Sequence, residues 1–369
     1  MRVKLDKVCK RIYAGGDVPK DRYSTVKTAE YAIPIYANAE KDNGLYGYTD
    51  TARENELSIT VAARGTIGFT AIRREPFLPV VRLITVVPDL STVSERYLYY
   101  ALRNCKPASS GTSIPQLTVP DIKKNEIELY SLSVQETIAD KLDAVGRVIE
   151  LRQRQLQKLD ELVKARFIEL FGDPLGNDKG WQKVLITEVC HAIFGGGTPS
   201  KSHPEYFAGS IPWVSPKDMK SSVINDSIDH ITEDAIAHST TNLVPANSVL
   251  MVIRSGILKH TLPVAINSLP VTINQDMKAF VPNETVKTAF LLYFFKAIEN
   301  DVLAGVRGVT ADNIDFKAFQ KRTIIVPPLA LQEQFVAFVT QTDKSKVAVQ
   351  KALDEAQLLF DSLMQKYFR

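Results

Sequence analysis

The segment from Phe194 to Ser202 carries the residue types best suited to phosphate chemistry. It reads FGGGTPSKS, and glycine-rich backbone amides followed by a lysine and a hydroxyl can cradle the phosphates of a nucleotide. Ser200 stands where such a P-loop needs its second glycine, and Pro199 interrupts the loop. We therefore do not expect nucleotide binding. A turn that brings Lys201 to a DNA phosphate is compatible with the same residues.

Motifs of DNA-modifying and metal-dependent enzymes are missing from the sequence. There is no Asn/Asp-Pro-Pro-Tyr/Phe motif of the kind that holds the target base in adenine methyltransferases, and no G-x-G-x-x-G follows a predicted strand. The five histidines and three cysteines lack metal-ligand spacing. Pro120-Asp121 could begin a nuclease motif, but the expected downstream carboxylate-x-Lys does not follow. The sequence predicts a protein that is not an enzyme and needs no cofactor or metal.

Polar and basic residues in the predicted loops suit DNA recognition. Arginine can contact guanine with two hydrogen bonds, asparagine and glutamine can do so with adenine, and lysine neutralises phosphate. Arg64 and Arg254 are the strongest candidates, because each follows the same predicted strand by three residues. The candidate DNA-binding residues are Tyr36, Asn38, Lys41, Arg64, Arg73, Arg74, Ser113 and Gln116 in the first half, and Lys201, Trp213, Lys217, Lys220, Arg254, Lys259, Gln275, Arg307 and Asn313 in the second.

An internal repeat must position these loops. The segment VQETI, which contains Gln135, returns as LQEQF around Gln332, an offset of 332 − 135 = 197. Val8-Cys9 returns as Val189-Cys190, and the strand-like run before Arg64 returns before Arg254. The matches keep the same order along the chain while the offset changes, as loop insertions require. A duplicated unit of about 180 to 200 residues is therefore predicted.

Each repeat combines a globular part with a long helix. Short apolar runs broken by Gly, Pro, Asn and Ser predict mixed α/β domains at residues 1–131 and 173–328. Long helices are predicted at 132–172 and 329–369. The predicted fold class is α+β, with two α/β domains alternating with two long helices that form an antiparallel coiled coil related by a pseudo-two-fold repeat. Equivalent junctions would then place Met1 and Arg369 near each other.

Apolar residues in a 4,3 spacing predict the seam of that coiled coil. Ser133 followed by Glu136 predicts a capping box at the start of the first helix, and Gly172-Asp173-Pro174 predicts its end. Each helix has one apolar stripe, so the other helix is its expected partner. The predicted seam consists of Ile138, Leu142, Val145, Ile149, Leu156, Leu159 and Val163 in the first helix, and Phe335, Val339, Val349, Leu353, Phe360 and Leu363 in the second.

Composition limits the class of protein. The 369 residues are 45% apolar and 24% charged, which excludes disordered, collagenous and disulfide-scaffold classes. Apolar runs fall far short of the ~18 residues needed to cross a bilayer, and the first residues show no secretory signal. We expect a cytoplasmic protein. A net charge of +3 is too small to indicate a nucleic-acid partner by itself.

Taken together, the duplicated plan, the V/L-Q-E start of each helix, the Pro328-Leu329 pair and the LFGDP segment from Leu170 to Pro174 resemble the specificity subunit of Type I restriction-modification enzymes. The resemblance covers essentially the whole chain. It departs only mildly, since Tyr130-Ser131 stands where the second repeat has Pro327-Pro328.

The resemblance implies two target recognition domains, each reading one half of a bipartite, asymmetric double-stranded DNA sequence. It also implies that the two antiparallel helices dock two methyltransferase (modification) subunits, through which restriction/translocase subunits join. Recognition domains of this family vary freely, so the base-contacting residues rest on chemistry alone.

Two other classes of function remain. The first is a coiled-coil adaptor that bridges proteins without sequence-specific DNA binding. It would lack the steep salt dependence of a DNA reader. The second, a self-sufficient methyltransferase, would need the missing motifs.

Overall fold

A computed structural model describes residues 1–105, 116–306 and 312–368. The chain forms two compact units, Met1–Arg154 with Gln350–Arg369, and Gln155–Val349. We call these the first and the second unit. The candidates Ser113 and Arg307 lie outside the described residues, as does Arg369.

Among the described residues, the first unit contains three small sheets and two short helices. Its sheets have the strand orders β1-β9, β2-β8-β5-β6 and β4-β3-β7. The strands are β1 (Arg2–Lys4), β2 (Cys9–Ala14), β3 (Ile33–Tyr36), β4 (Leu45–Thr49), β5 (Ser58–Val61), β6 (Thr70–Arg73), β7 (Leu78–Pro79), β8 (Ile84–Pro88) and β9 (Glu126–Glu128), and the helices are α1 (Glu95–Arg103), α2 (Val119–Lys124) and the first part of α3 (Leu132–Phe171).

The second unit contains sheets of corresponding strand order. These are β10-β19, β11-β18-β15-β16-β13 and β14-β12-β17. The strands are β10 (Gln182–Leu185), β11 (Cys190–Gly195), β12 (Ile211–Val214), β13 (Val223–Ile224), β14 (His230–Ile231), β15 (Val249–Val252), β16 (Val264–Asn267), β17 (Thr272–Ile273), β18 (Met277–Pro282) and β19 (Thr323–Val326), and the helices are α4 (Glu233–Ala237), α5 (Thr288–Ala297), α6 (Glu299–Ala304), α7 (Phe316–Gln320) and part of α8 (Leu329–Phe368).

The main sheet of each unit is built around a fully buried strand. Strand β5 (SITV) and strand β15 (VLMV) are buried at every position, and each lies between two antiparallel neighbours. β-branched side chains fit such strands because they pack well on a pleated surface. The chain leaves both strands toward the candidates Arg64 and Arg254.

The first long helix begins two residues before the position that the predicted capping box indicated. Helix α3 starts at Leu132, and the carbonyl of Ser131 accepts the first helical hydrogen bond, from the Gln135 amide at 2.9 Å. The Ser133–Glu136 capping box is therefore wrong, because Ser133 is already helical and Glu136 pairs with Arg96 instead. The predicted end is confirmed by Gly172, whose φ of 75° follows the last helical residue.

Within each unit, residues of helix α3 pack against residues of helix α8. In the second unit the Phe335 ring lies 5.5 Å from both Phe167 and Phe171, and Lys346 forms an ion pair of 2.7 Å with Asp160. Of the predicted seam residues, Ile138, Leu142, Val163, Phe335, Val339, Val349 and Phe360 are buried, while Val145, Ile149, Leu156, Leu159, Leu353 and Leu363 are half-buried.

Both ends of the described chain pack in the first unit. The Met1 carbonyl accepts a hydrogen bond from the Leu129 amide at 2.8 Å. Tyr97 donates from its hydroxyl to the carbonyl of Glu128 at 2.7 Å, and its ring centroid lies 4.9 Å from that of Phe368. None of the helices in the described segments is long and apolar enough to cross a membrane.

Candidate nucleic-acid interface

Arg64 follows strand β5 in the first unit and is held by a glutamine. The Leu117 amide donates to the Ala63 carbonyl at 3.0 Å, which brings the next segment of chain alongside Arg64. Arg64 then donates from Nε at 2.9 Å and from Nη2 at 2.6 Å to Oε1 of Gln116. Because the Gln116 acceptor is occupied, the exposed pair presents hydrogen-bond donors to solvent.

Arg254 occupies the corresponding place in the second unit. The Ile314 amide donates to the Ile253 carbonyl at 2.9 Å, and Arg254 and Asn313 form an isolated antiparallel bridge. The structure therefore brings two predicted residues together in each unit, Arg64 with Gln116 and Arg254 with Asn313.

The partner of the arginine differs between the units. Nε of Arg254 donates to Oδ1 of Asp276 at 2.6 Å, and the Asn274 side chain donates to the other carboxylate oxygen at 3.1 Å. The second site thus combines donors with acceptors, whereas the Arg64 site offers donors.

Two predicted contacts of the first unit are interior residues. Arg73 is 3% exposed, stacks on the Tyr36 ring 3.6 Å from its centroid and donates from Nη2 to the Asn43 carbonyl at 2.7 Å. Burial lowers the pKa of Arg73. Tyr36 is also buried, at 8% exposed. Both residues were predicted to contact DNA, but neither faces solvent. They support the loop at 37–44 that carries the exposed Lys41.

Asn38 is also used within the protein. Its Oδ1 accepts a hydrogen bond from the Ala63 amide at 2.8 Å, and its Nδ2 donates to the Val81 carbonyl. Asn38 therefore joins three loops in place of presenting a free amide. The remaining predicted residue of this unit, Arg74, is exposed and pairs with Glu95.

The other candidates of the second unit lie at the surface with varied partners. Trp213 donates from Nε1 to the Gly197 carbonyl at 3.0 Å, Lys217 pairs with Asp229 at 2.5 Å, and Lys259 lies 3.9 Å from Asp312. Gln275 accepts a hydrogen bond from Thr198. Lys201 and Lys220 are exposed.

The glycine-rich segment from Phe194 to Ser202 allows the backbone to pack closely against a neighbouring loop. A Cβ on Gly196 would come within 1.8 Å of the Asn274 carbonyl oxygen, and the Gly197 amide donates to the Ile273 carbonyl at 3.0 Å. In the first unit Gly16 makes the corresponding hydrogen bond to Pro79 at 3.2 Å. The amide of Gly197 is therefore not available to a phosphate.

The described residues contain neither an activated cysteine nor a cluster of metal ligands. Burial raises the pKa of each cysteine thiol, Cys9, Cys105 and Cys190, to about 12, which is the opposite of an activated thiolate. Within residues 1–105, 116–306 and 312–368, no group of three or more His, Cys, Asp or Glu could hold a metal ion. Asp121 caps helix α2 by accepting from the Thr118 amide at 2.8 Å.

Arg82 is an exposed residue of this region that no sequence motif indicated. It lies beside Val81 in a turn whose two central residues both have positive φ, 52° and 61°. Such turns usually carry Asn-Gly or a similar pair, so the Val-Arg sequence gave no turn signal. The only available clue was the repeat, which aligns Val81-Arg82 with Gln275-Asp276 at an offset of 194.

Comparison with known proteins identifies relatives over most of the chain. The family model "Type I restriction modification DNA specificity domain" matches twice, at residues 1–161 and 178–356. The Escherichia coli "Type I restriction enzyme EcoR124I/EcoR124II specificity subunit" is 32% identical over 71% of this chain and 66% of its own length. The MjaIX specificity subunit of Methanocaldococcus jannaschii is 24% identical over 96% of this chain and 86% of its own. Two other relatives, from Mycoplasma pneumoniae, are matched over 46% and 48% of their lengths.

Solved structures share the fold. The S subunit of a Type-I restriction-modification system from M. genitalium superposes with a TM-score of 0.58 at 16% identity, covering 100% of this chain and 96% of that one. A chain from a structure described as the basis of complex assembly and conformational transition of the type I R-M system gives 0.60 at 19% identity, covering 100% and 97%.

Proposed function

Because the chain belongs to the Type I restriction modification DNA specificity family, we propose that it is the sequence-recognition subunit of a Type I restriction-modification enzyme. In this proposal each unit contributes one target recognition domain, and the two domains read the two halves of a bipartite, asymmetric double-stranded DNA site. The chain itself is non-catalytic and acts in the cytoplasm, while methyl transfer and cleavage belong to its partner subunits.

The observation that carries this proposal is the pair of arginines presented in the same way beside different partners. In each unit a backbone hydrogen bond, to Ala63 or to Ile253, fixes the chain next to the arginine. Arg64 is bound to the neutral Gln116, and Arg254 to the carboxylate of Asp276. Donors alone match the N7 and O6 acceptors of guanine, while a donor with an acceptor matches the N7 and N6 groups of adenine. The same backbone arrangement with different side-chain hydrogen-bonding groups suits two half-sites of different sequence.

The long helices support the docking of two copies of one partner. Leu132 and Leu329, which correspond at the repeat offset, are 40% and 42% exposed, and Leu162 and Leu359 are 49% and 52% exposed. Exposed apolar residues in equal positions suit equal contacts with two methyltransferase subunits, which would in turn carry the restriction subunits. We further propose that α3 and α8 form an antiparallel coiled coil along the predicted seam.

Methylation mapping tests the proposal. Co-expression of this chain with its methyltransferase subunit in a host that lacks the system should methylate adenines within one bipartite sequence. Arg64→Gln should alter one half of that sequence and Arg254→Gln the other, because each residue belongs to a separate unit. Lys351→Gln, which removes an exposed cation from helix α8, controls for the lost charge and should leave the sequence unchanged.

Two outcomes would contradict the proposal. One is methylation that does not depend on this chain. The other is duplex affinity of the assembled complex that shows no sequence preference and no steep fall between about 50 and 200 mM salt. That second result would favour a protein-bridging adaptor.

A further inference from the structure

The turn at Val80–Leu83 in the first unit adopts a backbone conformation that its sequence disfavours. The Leu83 amide donates to the Val80 carbonyl at 3.0 Å, and the central residues Val81 and Arg82 have φ of 52° and 61°. A β-branched residue at positive φ is rare, and such strain persists only where neighbouring contacts enforce it. Strained residues concentrate at functional sites.

Two contacts hold the turn in this conformation. The Val81 amide donates to the Gly16 carbonyl at 2.7 Å, and the Val81 carbonyl accepts from the Asn38 side chain. The same Asn38 side chain accepts from the Ala63 amide at 2.8 Å. One asparagine therefore ties the turn to the residue that precedes Arg64.

The corresponding turn of the second unit, Asn274–Met277, is bound differently. The Met277 amide donates to the Asn274 carbonyl at 3.2 Å, and the Asp276 carbonyl accepts from the amides of Ile253 and Arg254 at 2.8 and 3.2 Å. Neither central residue has positive φ. In the first unit the Ala63 amide donates to the Asn38 side chain instead. The Val80–Leu83 turn therefore does not accept the hydrogen bond that Asp276 accepts from Ile253 in the second unit.

This difference leaves Arg82 available to a ligand. Asp276 holds Arg254 in an ion pair, whereas Arg82, at the equivalent position, is exposed and makes no ion pair with any residue that the structure describes. Arg64 has no carboxylate partner among the described residues either, and donates to Gln116. The first site therefore presents two arginines on loops joined by Asn38.

We propose that Arg82 is a base-contacting residue of the first recognition domain and that it reads a guanine of the first half-site. This inference rests on the proposed function. The guanidinium fork matches the N7 and O6 acceptors of guanine in the major groove. Asp276, an acceptor at the same position of the second unit, cannot make that contact, so this turn helps each domain select a different base.

The test uses the complete complex with its methyltransferase and compares wild type, Arg82→Lys and Arg82→Ala. Adenine methylation is mapped for each complex. Affinity is then measured for duplexes in which each guanine of the first half-site is replaced, in turn, by 7-deazaguanine, which lacks the N7 acceptor. Thermal unfolding of each complex checks that it is folded, and Arg82→Lys keeps the positive charge if the alanine variant is unstable.

We expect both variants to accept other bases at one guanine of the first half-site and to leave the second half-site unchanged. Replacement of that guanine by 7-deazaguanine should weaken wild-type binding by about 5- to 150-fold and should have little effect on Arg82→Ala. An unchanged methylated sequence overturns the inference, even if affinity falls equally for all duplexes, because a phosphate contact would behave in that way. A wild-type complex that methylates no bipartite sequence overturns the proposed function as well.

Discussion

The side-chain oxygen of Gln135, on helix α3, accepts a hydrogen bond of 2.8 Å from the backbone amide of Ser94, which caps helix α1. The Gln135 amide group also donates to the carbonyls of Thr92 and Tyr130, each at 2.9 Å. Gln135 is fully buried. One side chain thus links the start of the long helix to a short helix of the globular part.

Gln332 makes the same three kinds of bond in the second unit. It accepts from the Lys287 amide at 2.8 Å and donates to the carbonyls of Thr285 and Pro327 at 3.1 and 2.9 Å. The glutamine has the same role at both helix starts: it accepts from the N-cap amide of a neighbouring helix and donates to two carbonyls that lie outside the helices.

Replacing Gln135 by Met should destabilise the protein by roughly 2 to 5 kcal/mol, because three buried backbone groups lose their partner. Urea unfolding measures this change. Gln153→Met, at an exposed position of the same helix, is the matched control and should change the unfolding free energy by less than about 0.5 kcal/mol. Equal stability of the two variants would contradict the linking role of Gln135.

Buried aromatic residues of the helix seam should contribute more to the free energy of unfolding than the half-buried residues between them. Phe335 is fully buried against Phe167 and Phe171, so Phe335→Ala should cost about 3 to 5 kcal/mol. Leu353 is half-buried, and Leu353→Ala should cost about 1 to 2 kcal/mol. Chemical denaturation of both variants checks the order, and a larger loss at Leu353 would be inconsistent with this packing.

Glu54 makes the stability of the first unit dependent on pH. Burial favours its protonated form, but the hydrogen bonds from the Glu56 amide, Arg11 and Tyr13 outweigh burial and lower its pKa below the usual 4.5. The carboxylate therefore stabilises the fold above the unfolded pKa, and this stabilisation disappears as pH falls through the lower folded pKa.

The Glu54→Gln variant tests this dependence. It should be less stable than wild type near neutral pH, and the difference in unfolding free energy should shrink as the pH falls below about 4.5. Glu205, an exposed glutamate paired with His203 at the surface, supplies the control variant Glu205→Gln, which should differ little from wild type across this pH range because solvent screens an exposed pair. A difference between Glu54→Gln and wild type that stays constant from pH 7 to 3 would rule out the pKa shift as its cause.

Buried Arg73 should fix the conformation of the loop at 37–44. The loop contains three successive residues with positive φ, Asp42, Asn43 and Gly44, and Arg73 donates to the carbonyl of Asn43. In Arg73→Met we expect faster hydrogen exchange of the loop amides and a stability loss of only about 1 to 2 kcal/mol, since methionine fills much of the same space. Unchanged exchange in the loop would show that Arg73 does not hold it.

The sequence predicted features that depend on local pattern. The long helices follow from apolar spacing over many turns, and Gly172 ends the first of them because only a residue tolerant of positive φ fits there. The matching positions of Arg64 and Arg254 after strands β5 and β15 follow from the repeat, while their contact with DNA stays a prediction. The helices, the helix end and the spacing from strand to arginine each depend on residues that are close together in the sequence.

Features set by long-range contacts were missed. Arginine is nearly always exposed, so the burial of Arg73 could be recognised only from the ring of Tyr36, 37 residues away in sequence. The capping prediction at Ser133 failed because the helix already begins at Leu132, and the Glu136 carboxylate pairs with Arg96 on another helix. Arg82 was overlooked because its turn is held by Gly16 and Asn38, and not by its own sequence.

The two ends of the described chain lie in one cluster, which makes a circular permutant the strictest test of the repeat. The Met1 carbonyl accepts a hydrogen bond from the Leu129 amide, and the Asn104 side chain donates to the carbonyl of Phe368 at 2.6 Å. Tyr97 donates to the carbonyl of Glu128, next to Leu129, and its ring packs on Phe368.

A linker of about six Gly and Ser residues, which can span ~20 Å, should therefore join residue 369 to residue 1 without strain. The new ends would be opened at Gly176, in the loop that follows helix α3, where the corresponding junction of the other repeat lies. We expect this permutant to fold, to bind the methyltransferase and to direct methylation to the wild-type sequence. A permutant opened inside strand β15, which is buried at every position, is the control and should not fold. If the Gly176 permutant folds but directs methylation to another sequence or to none, the two junctions are not equivalent.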